Sequence, residues 1–314
     1  MKSYFSERTH KKHIKNSKVL INSNHSLNLF PLNQLHKPFS MTTMRFLLRK
    51  ALIFSFLVLF ASSDFTSAAG ESVTQADGLP SIKGKKVLLV WGGWDGHKPK
   101  DFMEIVAPWL KEEGTELIIS DSLGVYTNKE IMGSVDLIIQ MWTMGKISKD
   151  QEKALLAAVK GGVGLAGIHG GLGDSFRDNT EYQYMVGGQW VSHPGNVIDY
   201  TVEITNHDDL VTKGVKDFKI KSEQYYMHVD PNMKVLATTT FSGDHDSWIK
   251  GATMPVVWKK YYGKGRIFYF SIGHDPAELR IPDAWQIWTR GVRWASASKY
   301  EPYEEWLTPM YPGK

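Results

Sequence analysis

From residue 85 onward the chain alternates short apolar runs with stretches in which apolar residues recur every three or four positions. The first run, KKVLLVWGG (85–93), is continuous and ends in glycines, the pattern of a strand buried on both faces. Phe102, Ile105, Val106, Trp109 and Leu110 then share one helical face, with Gly114 placed as its cap and Pro108 placed to kink or shorten it. TELIIS (115–120) and VDLIIQM (135–141) read as two more buried strands. Ser148 with Gln151 three residues on is a capping box that predicts a helix through Val159, stopped by Gly161 and Gly162. VGLAGIH (163–169) is the fourth strand. Strands and helices alternating at this spacing predict a doubly wound α/β fold around a mainly parallel sheet.

The rhythm then changes. IDYTVEIT (198–205), KVLATTTF (234–241), PVVWKKY (255–261) and RIFYFSIG (266–273) are β-rich, and the last two flank YGKG, a tight turn that predicts a hairpin. A last helix is expected from Pro282 to about Ser296, with Trp285, Trp288, Val292 and Ala295 on one side. The parallel sheet is thus extended by antiparallel strands within a single domain over residues 84–298, followed by a surface-lying tail at 299–314.

The first 69 residues change the electrostatic picture. Residues 44–70, MRFLLRKALIFSFLVLFASSDFTSAAG, place Arg45, Arg49 and Lys50 ahead of an apolar run and small residues after it. That is the layout of a secretory signal peptide over 44–69, with an apolar run too short for a stable membrane span. Residues 1–43 are polar and unpatterned and are expected to reflect a start assigned too early; 70–83 read as a linker. Ten of the 37 lysines and arginines and two of the 33 acids lie in residues 1–69, leaving 27 basic against 31 acidic residues. The formal charge of +4 therefore belongs to the removable segment, and no nucleic-acid partner is implied. An exported protein without cysteine, periplasmic or extracellular, must rely on its core, and 245 residues suffice for one.

Candidate chemistry gathers at predicted strand ends, where ligands of open parallel sheets bind. His169 sits in GIHGG, between glycines that leave its imidazole unshielded from a ligand. In many such folds a nucleophilic cysteine or serine occupies that turn, within a G-x-C-x-G or G-x-S-x-G pattern. A histidine there can act as acid, base, metal ligand or donor, whereas thiol acyl chemistry is excluded. GGWDGH supplies Asp95 and His97, QWVSHPG His193, and SIGHDP His274 and Asp275. SEQYYMHVDP holds Glu223, Tyr225, Tyr226, His228 and Asp230 in a segment too aromatic for an ordinary exposed loop. His207 and His245 read as turn residues. No G-x-G-x-x-G follows the first strand, so a dinucleotide is not expected.

VLLVWGG, GIHGG, MVGGQWVSHPG, SEQYYMHVDP and MPVVWKKYYGKGRIFYFSIGH together resemble the trehalose-utilisation, or ThuA-like, family, over about residues 84–296. The resemblance implies a class I glutamine amidotransferase-like, flavodoxin-like fold and a role in carbohydrate catabolism. It places the family's polar positions on His169, His193, Glu223 and His274. Because His169 stands where an amidotransferase has its cysteine, glutamine hydrolysis does not carry over.

Three readings of these residues stand side by side. In the first, Glu223 or a neutral histidine (His169, His193 or His274) takes a proton beside the carbonyl of a keto-sugar while another histidine or Tyr226 donates one. Trp94, His97, Trp142, Trp190 and His228 would contact the sugar, the indoles through their flat apolar faces; no cofactor is required. In the second, two or three of His169, His193, His228 and His274, with Glu223, hold a divalent metal such as zinc in a hydrolase or isomerase. None of these has the close spacing of a helical zinc motif. In the third, the protein is a noncatalytic carbohydrate-binding module. In all three the partner is a small carbohydrate, with neither nucleic acid nor a stable membrane anchor after cleavage of the signal.

Overall fold

A computed structural model describes residues 77–304. The segment read as preceding the true start (1–43), the signal peptide (44–69), half of the linker and the end of the tail lie outside the described residues. No helix among the described residues is long and apolar enough to cross a membrane.

The first five strands in spatial order are parallel: β2 (Glu116–Ser120), β1 (Lys86–Gly93), β3 (Leu137–Thr143), β4 (Gly164–Ile168) and β11 (Gly265–Phe270). The sheet continues antiparallel through β10 (Thr253–Tyr262), β9 (Lys234–Thr240), β6 (Val197–Ile204) and β7 (Phe218–Glu223), nine strands among the described residues. The expected α/β doubly wound architecture is therefore present. A separate antiparallel ribbon pairs β5 (Gly188–Ser192) with β8 (Tyr226–Val229).

Alternation along each strand divides the core. Val87 and Leu89 face one side, with Phe102 and Leu110 of α1 (Pro99–Glu112) and Trp288 and Val292 of α6 (Pro282–Ser296). Leu88 and Val90 face the other, with Leu155 and Val159 of α3 (Lys149–Lys160) and Tyr182 and Met185 of α5 (Thr180–Val186). The Ser148–Gln151 capping box that starts α3 is formed, and α6 spans the expected residues. Pro108 stays on the exposed side inside α1 without ending it.

One expectation is corrected. TELIIS is an edge strand rather than a buried one: Leu117 and Ile118 are half-buried and Ile119 is 41% exposed, because among the described residues only β1 pairs with it. SEQYYMHVDP, as its aromatic content implies, is no ordinary exposed loop: it holds the end of β7 and all of β8. Leu79 and Ile82, in the stretch read as linker, are buried.

The antiparallel half curls back over the rim. Strands lie about 4.8 Å apart, so a flat sheet would put β7 about 24 Å from β4, yet side chains from the ends of these two strands touch. Register shifts at Pro255/Val257 and Val257/Trp258 in β10 supply the added twist. Two short α-helices, α2 (Lys129–Ser134) and α4 (His169–Gly173), complete the set.

Candidate active site

β1, β4, β11 and β7 all end at the same rim. After β1 a single helical turn, Asp95–His97, buries the His97 ring with Nδ1 2.9 Å from Thr143 Oγ1 at the end of β3. After β4, His169 opens α4 with φ at 45°, a left-handed conformation that costs a non-glycine residue on the order of 1–3 kcal/mol. This is the sharp strand-to-helix elbow on which α/β enzymes present a nucleophile. Tyr269 Oη donates to the His169 carbonyl oxygen (3.0 Å), and His169 Nδ1 bonds the Ser271 carbonyl oxygen (2.7 Å). A carbonyl only accepts, so Nδ1 carries the proton.

Contrary to expectation, the flanking glycines do not open His169 to a ligand. Its ring is fully buried and stacks on Tyr225 with centroids 4.0 Å apart. The absent side chain at Gly170 admits the neighbouring His97 ring instead.

Glu223, the last residue of β7, lies at the centre. Its Oε2 is 3.0 Å from His169 Nε2 and 3.7 Å from His97 Nε2; its Oε1 is 3.2 Å from His274 Nδ1 and 3.7 Å from His193 Nε2. Gly273, with φ at 126°, makes the turn that brings His274 back from β11. Burial alone would raise the Glu223 carboxyl, but the imidazoles of His169, His274 and His97 outweigh it and hold the group well below the carboxylate range. Burial pushes the His169 imidazole down to about 4, while the Glu223 carboxylate raises His274. Ligand atoms of His97, His169, His274 and Glu223 all lie within 4.8 Å of one another.

A cavity of about 250 Å³ opens beside this cluster, reached by His97, His193, Glu223 and Tyr225 and walled by Trp94 and Trp190. Asp174 and Arg177 complete it: Arg177 Nε and Nη2 bond the two Asp174 oxygens at 2.6 and 2.7 Å, and the guanidinium lies 4.4 Å over the Trp190 ring. Burial raises the Asp174 carboxyl despite that ion pair. A larger cavity, about 440 Å³, lies at the opposite rim, before β4 and β11, and contains no imidazole.

Of the residues singled out in the sequence, His97, His169, His193, Glu223, His274, Trp94 and Trp190 come together. Trp142, Tyr226 and His228 do not line the cavity. Trp142 packs against Gly92 and the second core face. Tyr226, the first residue of β8, meets Phe241 edge-on, whereas its neighbour Tyr225, in the connection between β7 and β8, lines the cavity. His228 is exposed opposite Gln189 in the ribbon, which removes it from the metal candidates, and His193 stands outside the four-ligand set. Sequence reasoning missed Asp174 and Arg177, which follow GIHGGLG without any periodic or motif signal, and Thr143 and the Ser271 carbonyl, which anchor the rings from behind.

A family model described as trehalose utilisation (ThuA) matches residues 86–295. A ThuA-like protein from Bacteroides uniformis is 18% identical with a TM-score of 0.58, the match covering 72% of this chain and 95% of that one. A ThuA-like protein from Parabacteroides merdae, also 18% identical, has a TM-score of 0.56 with the same coverage. At such identity the likeness is one of fold. No curated protein matches the chain.

Proposed function

The chain belongs to the ThuA, or trehalose-utilisation, family, and on that premise we propose that it is an enzyme of carbohydrate catabolism that moves protons on a sugar bearing a carbonyl group. The observation that carries the reading is Glu223, a buried carboxylate ringed by four imidazoles beside a cavity walled by two tryptophans. A volume of about 250 Å³ is small against the roughly 300–1,000 Å³ of drug-sized ligand sites, and suits one sugar ring between flat apolar faces.

His193 is the proton-transfer group in this reading. It lines the cavity with a partly exposed ring, and its Nε2 stands 3.7 Å from Glu223 Oε1. Both Glu223 oxygens face imidazole nitrogens, Oε2 that of His169 at 3.0 Å and Oε1 that of His274 at 3.2 Å, so in this reading the carboxylate orients the rings rather than attacks the sugar. The imidazole takes a proton from the carbon beside the sugar carbonyl; the C–H electron pair forms the enediolate, and return of the proton to the same or the adjacent carbon completes an epimerisation or isomerisation. The basic, apolar and small-residue blocks of 44–69 support export beforehand, which N-terminal sequencing of the mature protein would test.

The test is proton NMR in deuterated water with a panel of keto-sugars. Loss of the signal beside the carbonyl is expected, slowed about 100-fold or more in His193→Ala. Binding without exchange for every sugar, with affinity lost in Trp94→Ala or Trp190→Ala, would replace the enzyme by a carbohydrate-binding module.

A further inference from the structure

We propose that His97, His169, His274 and Glu223 form a binding site for one first-row divalent transition-metal ion of the zinc type. Their ligand atoms lie within 4.8 Å of one another. Four ligands at about 2.0–2.1 Å in a tetrahedron stand about 3.4 Å apart, so a contraction of about 1.4 Å at the widest pair closes the site around an ion.

Three features distinguish this cluster from a set of hydrogen bonds. His169 donates from Nδ1 to the Ser271 carbonyl, so in the neutral ring the lone pair on Nε2 faces Glu223 Oε2 at 3.0 Å. Two lone pairs directed at each other repel, and a cation shared between them turns repulsion into binding. His97 repeats the layout, with Nδ1 held 2.9 Å from the Thr143 hydroxyl and Nε2 directed at the same carboxylate oxygen. Rings tied through one nitrogen to an oxygen partner while the other nitrogens converge are how metal-binding histidines are oriented. His274 Nδ1, buried and without an aligned hydrogen bond among the described residues, adds the third nitrogen 3.2 Å from Glu223 Oε1.

Three imidazoles and one carboxylate favour zinc and its neighbours over magnesium or calcium, which take oxygen ligands. His97 and Glu223 border the cavity, so the ion would stand where it can polarise a sugar oxygen. That consequence rests on the proposed function; the metal site itself does not.

Chelator-treated protein is titrated without sugar, with zinc chloride by calorimetry and with cobalt chloride by visible absorption. One equivalent is expected to bind at micromolar concentration, with the intense bands of a low-coordinate cobalt site and no uptake of magnesium. Glu223→Gln and His97→Ala are expected to lower affinity more than tenfold, and His228→Ala to leave it unchanged. Thr143→Val keeps all four ligands and removes only an anchor, and is expected to lower affinity about 10–100-fold. Failure of the wild-type protein to bind an equivalent would overturn the proposal, as would uptake that survives unchanged in both ligand variants; the wild-type cobalt spectrum decides even if a variant fails to fold. Metal uptake without sugar turnover would leave the site standing and remove the sugar reading, and turnover without uptake would do the reverse.

Discussion

A Cβ on Gly170 would lie 2.6 Å from Cε1 of His97 and 2.7 Å from its Nδ1: the backbone of α4 and the imidazole share a space with no room for a methyl group. Gly170→Ala must therefore displace His97 and break its contact with Thr143. Overpacking of this kind costs about 1–3 kcal/mol, and zinc affinity should fall at least tenfold with it. Gly133, in α2, has nothing within 4 Å of its added Cβ. Gly133→Ala should leave affinity unchanged and stabilise by about 0.4–1 kcal/mol. Urea unfolding and zinc titration of the two variants check this, and equal behaviour would refute the packing argument.

Away from the site, Asp209 lies buried between Lys259 and Lys234, with Nζ to oxygen distances of 2.8 Å on both sides. Burial alone would raise its carboxyl, but the two ammonium groups outweigh it and hold it below the usual carboxylate range. Asp209→Asn keeps the shape and leaves the buried Lys259 unpaired, so a loss of about 3–5 kcal/mol is expected. Because the folded-state pKa is depressed, the stability contributed is fully present above the unfolded value of about 3.9 and is lost as pH falls through the folded value. Urea midpoints of the wild-type protein should drop below about pH 4 more steeply than those of the variant. Parallel acid limbs would show that Asp209 carries no such linkage.

The parallel half of the fold was legible in the sequence because burial on both faces writes continuous apolar runs, as in β1, β3 and β4, and because the Ser148 capping box and the tryptophans of α6 mark helix limits. β7 and the β5–β8 ribbon were not read: FKIKSE lacks the continuous apolar run that marked the parallel strands, although its alternation is a strand signal, and the ribbon is short and irregular. Without β8 as a strand, nothing indicated which of Tyr225 and Tyr226 faces the site. The histidines stood out as polar residues beside glycines at strand ends. Their convergence on Glu223 depends on the curl of the antiparallel half, a long-range property carried by bulges in β10 rather than by a motif. The Ser271 carbonyl that sets the His169 tautomer is backbone and has no residue-type signal at all.

Arg177 holds Trp190 in place while its own charge is spent on Asp174. If Trp190 is a platform for the sugar ring, truncating Arg177 loosens the platform without touching the reacting atoms. Arg177→Ala should then raise KM about 3–10-fold with kcat within a factor of two, the signature of lost uniform binding. Trp190→Ala should raise KM further. Steady-state kinetics on whichever keto-sugar shows exchange gives both values, and a fall in kcat at constant KM would move Arg177 from positioning the substrate to the chemical step.

Tyr269 ties β11 to the elbow by donating its hydroxyl to the His169 carbonyl oxygen at 3.0 Å. Tyr269→Phe preserves the ring that packs on Trp258 and removes only the donor. A buried carbonyl left without its partner costs about 1–3 kcal/mol, here at a residue whose left-handed backbone has its own cost. The elbow should relax and carry the imidazole away from Glu223, so kcat should fall while KM stays near the wild-type value, since neither tryptophan moves. Urea midpoints and steady-state kinetics on the same preparation separate the two effects. A variant that loses stability but keeps kcat would show that His169 is held well enough by the Ser271 carbonyl alone.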